Sequence, residues 1–284
     1  SRGSFTMKSG LIEGFHVNGN GAGVRVEDNG SFIMEGGKIQ NNTAAEGYGG
    51  AVFAYSSEGI TLTSGRISNN SAQYGGGLAV NLIAEEGLSL PEGMVFSDNK
   101  ASGYGGGIYL ANAGTFTLRG VEIRENSAPS GGGIWFEGAT DAQLNDCTIK
   151  DNQATEGNGG GIGSGAAVTL TIGGGVFTGN TAANYGGAVC LEVCNSALHI
   201  TDECQITKNQ AKTYGGGIAL VNQGGDATKR STLTVESSRI EENALLGTAN
   251  SLFGGGIMAG NYTDVKINNA KILKNSGATN GGGL

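Results

Sequence analysis

Residues 121–136, which read VEIRENSAPSGGGIWF, contain the pattern that decides the fold of this chain. Ile123 stands three residues before Asn126, and a glycine cluster and one aliphatic residue, Ile134, follow after a short gap. Such a repeat indicates one supersecondary unit stacked on copies of itself. The pattern of Ile or Phe, two residues and Asn recurs along the chain with asparagines at Asn18, Asn42, Asn70, Asn99, Asn126, Asn152, Asn180, Asn209, Asn243 and Asn275.

Each repeat also contains apolar residues two positions apart, which is typical of a strand with one buried face. Examples are Phe116 with Leu118, and Ile134 with Phe136. No helical period is present, and the connections within a repeat are too short for hairpins. The sequence therefore predicts an all-β fold, a right-handed parallel β-helix or β-solenoid of about ten coils. Each coil is expected to have roughly 26–30 residues and three short strands.

The asparagine column has a structural explanation. Asparagines stacked one coil apart can hydrogen-bond to each other and to the corner backbone, and Asn tolerates the left-handed backbone of a tight corner. We expect the glycine clusters to form another corner, where Cβ atoms would collide. The predicted ladder consists of Asn42, Asn70, Asn99, Asn126, Asn152, Asn180, Asn209, Asn243 and Asn275.

Composition limits the possible classes of protein. The 55 glycines are in phase with the repeat, so disorder is not expected, and residues 1–284 are predicted to form a single β-helix domain. The net charge is −8 and the basic residues are scattered, which gives nucleic-acid binding no electrostatic support. No apolar run reaches transmembrane length.

The ends of the chain suggest that it is a segment of a longer surface protein. It begins without Met at Ser1 and stops within a glycine corner at Gly281–Leu284, and neither end resembles a polar cap. We therefore expect further coils or domains of the same parent protein to adjoin it.

Two motifs together resemble the repeats of chlamydial polymorphic outer-membrane proteins, which carry GGA followed by Ile, Leu or Val, and FxxN. Strict matches to these motifs are Gly49–Val52, Gly186–Val189, Phe15–Asn18, Phe96–Asn99 and Phe177–Asn180. The resemblance extends over nearly the whole chain, with Ile in place of Phe and a third Gly in place of Ala elsewhere. It implies an exported right-handed β-helix that is displayed on a bacterial cell surface or secreted, and that is used for adhesion.

An aromatic stripe is the main candidate for a binding surface. The residue after the inward aliphatic residue should point outward, and four successive coils place Phe53, Ala79, Tyr109 and Trp135 there. Exposed apolar patches often mark binding sites. The alternatives are cross-strand packing and cover by a loop. The candidate ligand-binding residues are Phe53, Tyr109, Trp135, Tyr55 and Glu137.

A second aromatic column precedes the glycines, and Ser130 and Asn158 interrupt it. Its rings either stack along a corner or line a groove with a notch at the interruption. The column consists of Tyr48, Tyr74, Tyr104, Tyr185, Tyr214 and Phe253.

Three acids, Asp98, Glu125 and Asp151, precede the asparagines of successive coils and are candidate calcium ligands. The alternatives are solvated charge and catalysis, for which alternation would send the neighbouring Arg124 and Lys150 to another face. No other cofactor is expected.

Residues 221–231 and 244–253 lengthen one coil, and insertions in solenoids map to loops that are often on the binding face. The second insertion carries Leu245, Leu246, Leu252 and Phe253. These residues either contact a partner or cover the apolar surface of the loop itself.

Four cysteines allow few pairings. Cys147 and Cys204 occupy one inward column two coils apart, too far for a disulfide, and are expected to be buried thiols. A bond between Cys194 and Cys204 stays open, and a zinc site including Cys190 lacks the usual ligand spacing.

The sequence favours a non-enzymatic bacterial adhesin segment, extracellular at the cell surface or secreted, with a host glycan or extracellular protein as its partner. A carbohydrate-active enzyme on the same fold, either a polysaccharide lyase or a glycoside hydrolase, is the first alternative. A structural spacer stalk is the second.

Overall fold

Parallel strands make up almost all of the regular structure. The computed structural model describes residues 3–27, 30–82, 87–112, 114–138, 140–223, 227–248 and 250–284. Within these ranges there is no α-helix, and the one 3-10 turn is Ser57–Gly59. Each coil contributes strands to four faces of the molecule, which we number in chain order.

The first two faces lie before the asparagine of each coil. The first face contains Ser4–Met7, Ser31–Met34, Ile60–Leu62, Leu88–Leu90, Gly114–Arg119, Thr140–Asn145, Val168–Gly173, Ala197–Thr201, Ser231–Glu236 and Thr263–Asn268. The second face contains Leu11–Glu13, Lys38–Gln40, Gly65–Ser68, Met94–Ser97, Glu122–Arg124, Thr148–Lys150, Val176–Thr178, Gln205–Thr207, Arg239–Glu241 and Lys271–Leu273.

The other two faces follow the asparagine and the glycines. The third face contains His16–Val17, Thr43–Tyr48, Ser71–Tyr74, Lys100–Ala101, Ser127–Ala128, Gln153–Ala154, Thr181–Ala182, Gln210–Ala211 and Ala244–Leu245. The fourth face contains Val24–Val26, Val52–Ser56, Leu78–Leu82, Ile108–Leu110, Ile134–Phe136, Ile162–Ser164, Val189–Val193, Ile218–Gln223 and Ile257–Ala259.

Every strand pairs in parallel with its counterpart in the next coil, except where the first face is divided between Ile60–Leu62 and Leu88–Leu90. Equivalent residues stay in register, so Tyr109 lies beside Trp135 and Ile123 beside Ile149, except at two irregularities, between Ala72 and Tyr74 and between Leu191 and Val193. The described strands make nine complete coils and the start of a tenth. The predicted parallel β-helix is therefore confirmed. The mostly two-residue strand after the asparagine adds a fourth face to the three strands expected.

The inward residues of successive coils form one continuous core along the molecule. Because the inward positions repeat, the apolar side chains of successive coils lie beside one another, as Phe116 does with Ala142. The buried phenylalanines of this core are Phe32, Phe96, Phe116, Phe136 and Phe177. Cys147 and Cys204 belong to the same core, as predicted, and all four cysteines are unpaired. Burial raises the pKa of Cys204 to about 12, so this thiol stays protonated.

The predicted asparagine ladder is present from Asn42 to Asn275. In each step the backbone N–H and the Nδ2 of one Asn both donate to Oδ1 of the next, at 2.9–3.1 Å. The second Nδ2 hydrogen goes to a carbonyl of the preceding coil, as from Asn126 to Phe96 at 3.0 Å. The ladder from Asn42 to Asn243 is at most 1% exposed, so its polar groups are satisfied without water.

The left-handed corner lies one residue earlier than expected. The residue before the ladder Asn has a φ of 52–57° in eight coils, including Asp98 and Glu125, and Gly179 takes the position in a ninth. The ladder asparagines themselves do not have positive φ. Asn is therefore required at its position for the hydrogen bonds of its side chain rather than for backbone conformation.

The sequence motif assigns Asn18 to the ladder position of the first repeat, and this assignment is wrong. The structure pairs Ile12 with Ile39 and His16 with Thr43, so Phe15, not Asn18, occupies the ladder position of the first coil. The N–H of Phe15 donates to Oδ1 of Asn42 at 3.1 Å, and Asn18 is exposed. The match at Phe15–Asn18 is a coincidence of spacing, because the inward residue of the second face is Ile12.

The glycine cluster forms the corner before the fourth face. Gly131 has a φ of +62°, and a Cβ on Gly132 would lie 2.5 Å from the carbonyl oxygen of Gly160 in the next coil. The first glycine thus provides a left-handed turn, and the second allows close approach of two backbones.

Asn126→Ala tests the ladder. The substitution leaves the N–H and Nδ2 of Asn99 without their shared buried acceptor. We expect a loss of about 3 kcal/mol or more in the free energy of unfolding, since each buried unpaired donor costs about 1–3 kcal/mol. Urea unfolding followed by circular dichroism measures this loss. The control is Asn18→Ala, which should change stability by less than about 0.5 kcal/mol. Equal losses in the two variants would contradict both the ladder and the corrected register.

Candidate functional site

The outward residues of the fourth face form a second apolar cluster, separate from the core. Phe53, Ala79, Tyr109 and Trp135 pack together, with Tyr48 and Tyr74 against them. Phe53, Tyr109 and Trp135 are only 4–5% exposed. The prediction that these side chains form an exposed stripe is therefore wrong, because the tyrosines of the preceding corner fold over them. We call the set Tyr48, Phe53, Tyr74, Tyr104, Tyr109 and Trp135 the aromatic ridge.

The outer rings of the aromatic ridge stack on each other along the molecule. The centroid distances are 4.9 Å from Tyr48 to Tyr74, 5.9 Å from Tyr74 to Tyr104 and 4.5 Å from Tyr104 to Trp135. The interplanar angles of these three pairs are 11–28°. Tyr109 lies beneath, 5.3 Å from Tyr74. The two aromatic columns seen in the sequence therefore meet in one structure.

Ring stacking limits which parts of the aromatic ridge are exposed to solvent. Tyr104 is 36% exposed and Tyr55, on the same face, is 47% exposed. Because Tyr104 has Tyr74 and Trp135 as stacking partners, its exposed part is mainly ring edge and hydroxyl. Tyr55 has no ring contact within the described part of the chain. Of the five candidate ligand-binding residues, Tyr55 and Glu137 are accessible, and Phe53, Tyr109 and Trp135 are not.

Trp135 is fixed by three neighbours. Its Nε1 donates to Oε2 of Glu137 at 2.7 Å, and one ring face lies against Tyr104. A Cβ on Gly163 of the next coil would lie 2.8 Å from Cε3 and Cζ3 of the indole. The indole thus occupies the space that outward side chains would take in the following coil. This arrangement explains why the outward column changes to Gly163 after Trp135.

The interruption at Ser130 and Asn158 is a hydrogen-bonded junction. Asn158 donates its backbone N–H to Ser130 Oγ at 3.1 Å and accepts from the N–H of Tyr185 at 3.1 Å. Its Nδ2 donates to Oε1 of Glu192 at 2.9 Å. Beyond the junction, Tyr185 stacks on Tyr214 at 4.8 Å. The predicted notch is therefore a polar link between two stacks of rings.

Glu192 is the functional candidate that the sequence did not single out. Its Oε2 accepts from Gln223 Nε2 at 2.9 Å, so both carboxylate oxygens are held by neutral amides. Burial raises its pKa above the usual value, and the two amide hydrogen bonds lower it by less. No motif contains this residue, because its partners come from neighbouring coils 34 and 31 residues away in sequence.

Two tyrosines of the aromatic ridge, Tyr109 and Tyr48, are affected by burial and by the carboxylate of Glu137. Burial, reinforced by the charge of Glu137, raises the pKa of Tyr109 well above its usual value. Burial and the neighbouring Tyr74 and Glu137 likewise raise the pKa of Tyr48. These phenols stay protonated at neutral pH, and can act as hydrogen-bond donors.

Comparison with protein families gives one result. Residues 4–191 match the family model described as the right-handed beta helix region. The chain belongs to this family. The match supports the predicted right-handedness. Comparison with curated proteins and with solved structures found no match.

The acid row of this right-handed β-helix lies at the left-handed corner positions. Glu125 contacts Arg124, and Asp98 lies 3.7 Å from Arg66. The expectation that Arg124 would point away is wrong, because the positive φ of Glu125 breaks the alternation. Asp151 lies against Gly179 of the next coil. In the described ranges, no three His, Cys, Asp or Glu side chains come together as a metal site would require.

Of the four candidate residues in the insertion at 244–253, two are buried and two are exposed. Leu245 and Leu252 are at most 4% exposed and pack on the inward alanines of the third face. Leu246 and Phe253 are 62% and 41% exposed. Leu245 and Leu252 therefore cover apolar surface of the β-helix, whereas Leu246 and Phe253 remain accessible to a partner. Insertion 221–231 is described except for residues 224–226.

None of the described residues forms a helix that combines the length and hydrophobicity needed to cross a bilayer.

Gly163→Ala tests the fixation of Trp135. The added methyl group should displace the indole, change the fluorescence of this only Trp, and lower the free energy of unfolding by about 1–3 kcal/mol. In a Trp135→Ala background the same change should cost little, because contacting residues are coupled. Equal costs in both backgrounds would show that the two residues do not contact each other.

Glu192→Gln tests the burial of this carboxylate. A carboxyl whose pKa is higher in the folded chain favours folding while protonated, and the advantage is lost as the pH rises through the folded pKa. The variant should therefore gain stability relative to the parent chain between pH 4 and pH 7, as measured by urea unfolding.

Glu236→Gln is a control of opposite sign. The hydrogen bond from Asn268 lowers the pKa of Glu236, so its ionised form favours folding. This variant should lose stability relative to the parent over the same pH range. A Glu192 variant that followed the same trend would refute the assignment of a raised pKa.

Proposed function

We propose that the chain is a binding segment of an exported bacterial adhesin, and that it makes contact through the fourth face. The observation that supports this proposal most is the accessible rim of the aromatic ridge. Tyr104 is exposed there against Trp135, whose indole donates to Glu137, and Tyr55 is exposed on the same face three coils before Glu137. Tyrosines with a buried body and an exposed hydroxyl are common at protein interfaces, since they combine apolar area with a hydrogen-bonding group.

The rigidity of the side chains on the fourth face also supports its role as the contact surface. Tyr104 is held between two rings, and Trp135 is held by Glu137 and the next coil. A ligand that contacts fixed side chains pays little for ordering them. The repeat also extends this surface along the molecule, which suits an elongated ligand such as a glycan or an extended protein segment.

The resemblance of the GGA and FxxN motifs to chlamydial polymorphic outer-membrane proteins supports the adhesive role. By the same resemblance we propose an extracellular location, either at the bacterial surface or after secretion, and a host glycan or extracellular protein as partner. The corrected register removes Phe15–Asn18 from the motifs and leaves Phe96–Asn99 and Phe177–Asn180, whose asparagines lie in the ladder.

Binding of the segment to an array of glycans and extracellular matrix proteins tests the proposal. Tyr104→Ala and Tyr55→Ala should each weaken the observed binding about tenfold or more, as expected for an anchoring aromatic residue. Tyr262→Ala is the matched control, because this tyrosine is 39% exposed but lies in a turn beyond the fourth face of the last complete coil. Binding that all three variants retain equally would remove the fourth face as the contact surface.

A further inference from the structure

We propose that the fourth face binds an extended polypeptide segment that carries Lys or Arg, with Glu137 and Glu192 as its anionic contacts. This inference rests on the proposed adhesive function and specifies the chemistry of the partner. It follows from the charges on the face, the way the two carboxylates are held, and the part of the rings that is accessible.

The fourth face is uniformly free of positive charge over most of its length. Its eight strands from Val52–Ser56 to Ile257–Ala259 contain no Lys or Arg, and Arg25 in the preceding strand is paired with Glu27. The acidic groups in and beside these strands include Glu192 and Glu137. A partner that is positively charged is therefore electrostatically complementary to this face.

The two carboxylates differ from the acids of the second face that pair with arginine. On the second face Glu122 pairs with Arg124 at 2.9 Å, and Glu241 pairs with Arg239 at 2.7 Å. Glu137 and Glu192 instead accept hydrogen bonds from Trp135, Asn158 and Gln223, which are neutral. Neutral donors orient a carboxylate without cancelling its charge. The negative charge of each carboxylate is thus available to pair with a cationic group of a partner.

The register places the two acids on one outward column. Phe136, Ser164 and Leu191 lie side by side, so the residues that follow them are Glu137, Gly165 and Glu192. The acids are two coils apart, about 10 Å along the molecule. Gly165 between them has no side chain to separate a ligand from the surface. Alternate residues of an extended peptide are about 7 Å apart, and flexible Lys or Arg stems can span the difference.

The accessible aromatic groups fit the same kind of ligand better than they fit a sugar ring. A sugar ring packs on an open aromatic face, but the faces of Tyr104 are occupied by Tyr74 and Trp135. The ring edges offer apolar surface to a Lys or Arg stem, and the phenol oxygens accept hydrogen bonds. Tyr55, which lies outside the stack, offers a face on which a guanidinium can pack.

The test uses a fluorescein-labelled peptide of alternating Lys and Ser, eight residues long, and fluorescence anisotropy at low and at moderate salt. The wild-type segment should bind it, and Glu137→Gln/Glu192→Gln should weaken binding at least tenfold. The matched control is Glu35→Gln/Glu46→Gln, which removes the same charge from exposed positions away from the fourth face and should weaken binding less than twofold. A peptide with Gln in place of Lys should not bind.

The double variant is expected to fold. The glutamine at position 192 can present its oxygen to Asn158 and its amide to Gln223, whose exposed side chain is able to turn over. Urea unfolding and the fluorescence of Trp135 check this directly. Loss of peptide binding in a variant that is at least as stable as the parent chain, and whose Trp135 fluorescence is unchanged, would then reflect charge alone.

The inference is overturned if the wild-type segment does not bind the Lys peptide, if the Gln peptide binds equally well, or if both double variants weaken binding alike. Array ligands that depend on Tyr104, combined with no binding of the Lys peptide, would leave the adhesive function standing and refute the cationic partner. Absence of both kinds of binding would refute the two proposals together.

Discussion

The hydrogen bonds between asparagines of successive coils are the interaction on which the rest of the structure depends. Each Asn from Asn42 to Asn243 is buried and uses both Nδ2 hydrogens and its Oδ1 within the backbone corner. An asparagine can make these bonds only when its neighbours are in the same register. The ladder therefore locks each coil on the next, and every outward column is aligned as a consequence.

Alignment of the columns explains both what the sequence predicts and what it misses. A residue that repeats at the ladder position, such as Asn99 or Asn126, reveals its environment because that environment repeats as well. The core columns and the glycine corner could be predicted for the same reason. The two-residue strand after the asparagine could not, because a segment such as Ser127–Ala128 is too short to show alternation.

The aromatic ridge shows a different limit of sequence reasoning. The alternation of the fourth strand correctly directs Trp135 away from the core, but exposure depends on a neighbouring column that turns at the glycine corner. Tyr104 belongs to the preceding coil, and it is the contact of 4.5 Å between the two rings that covers Trp135. Glu192 was missed for a similar reason, since its amide partners come from two other coils. Such contacts are set by side-chain direction at corners, where the period of two is interrupted.

The same physical constraint links the irregular outward columns to the proposed binding surface. A β-helix with identical outward residues in every coil would have a uniform face and would not distinguish one ligand position from another. Trp135 breaks the uniformity, because its indole lies over Gly163 and forces the next coil to do without outward side chains. Glu137, in the coil before Gly165, accepts a hydrogen bond from the indole, and Glu192, in the coil after it, accepts one from Asn158. The regular ladder fixes the spacing of these two carboxylates, and the local irregularity leaves only Gly163 and Gly165, against which the indole packs, at the outward positions of the coil between them.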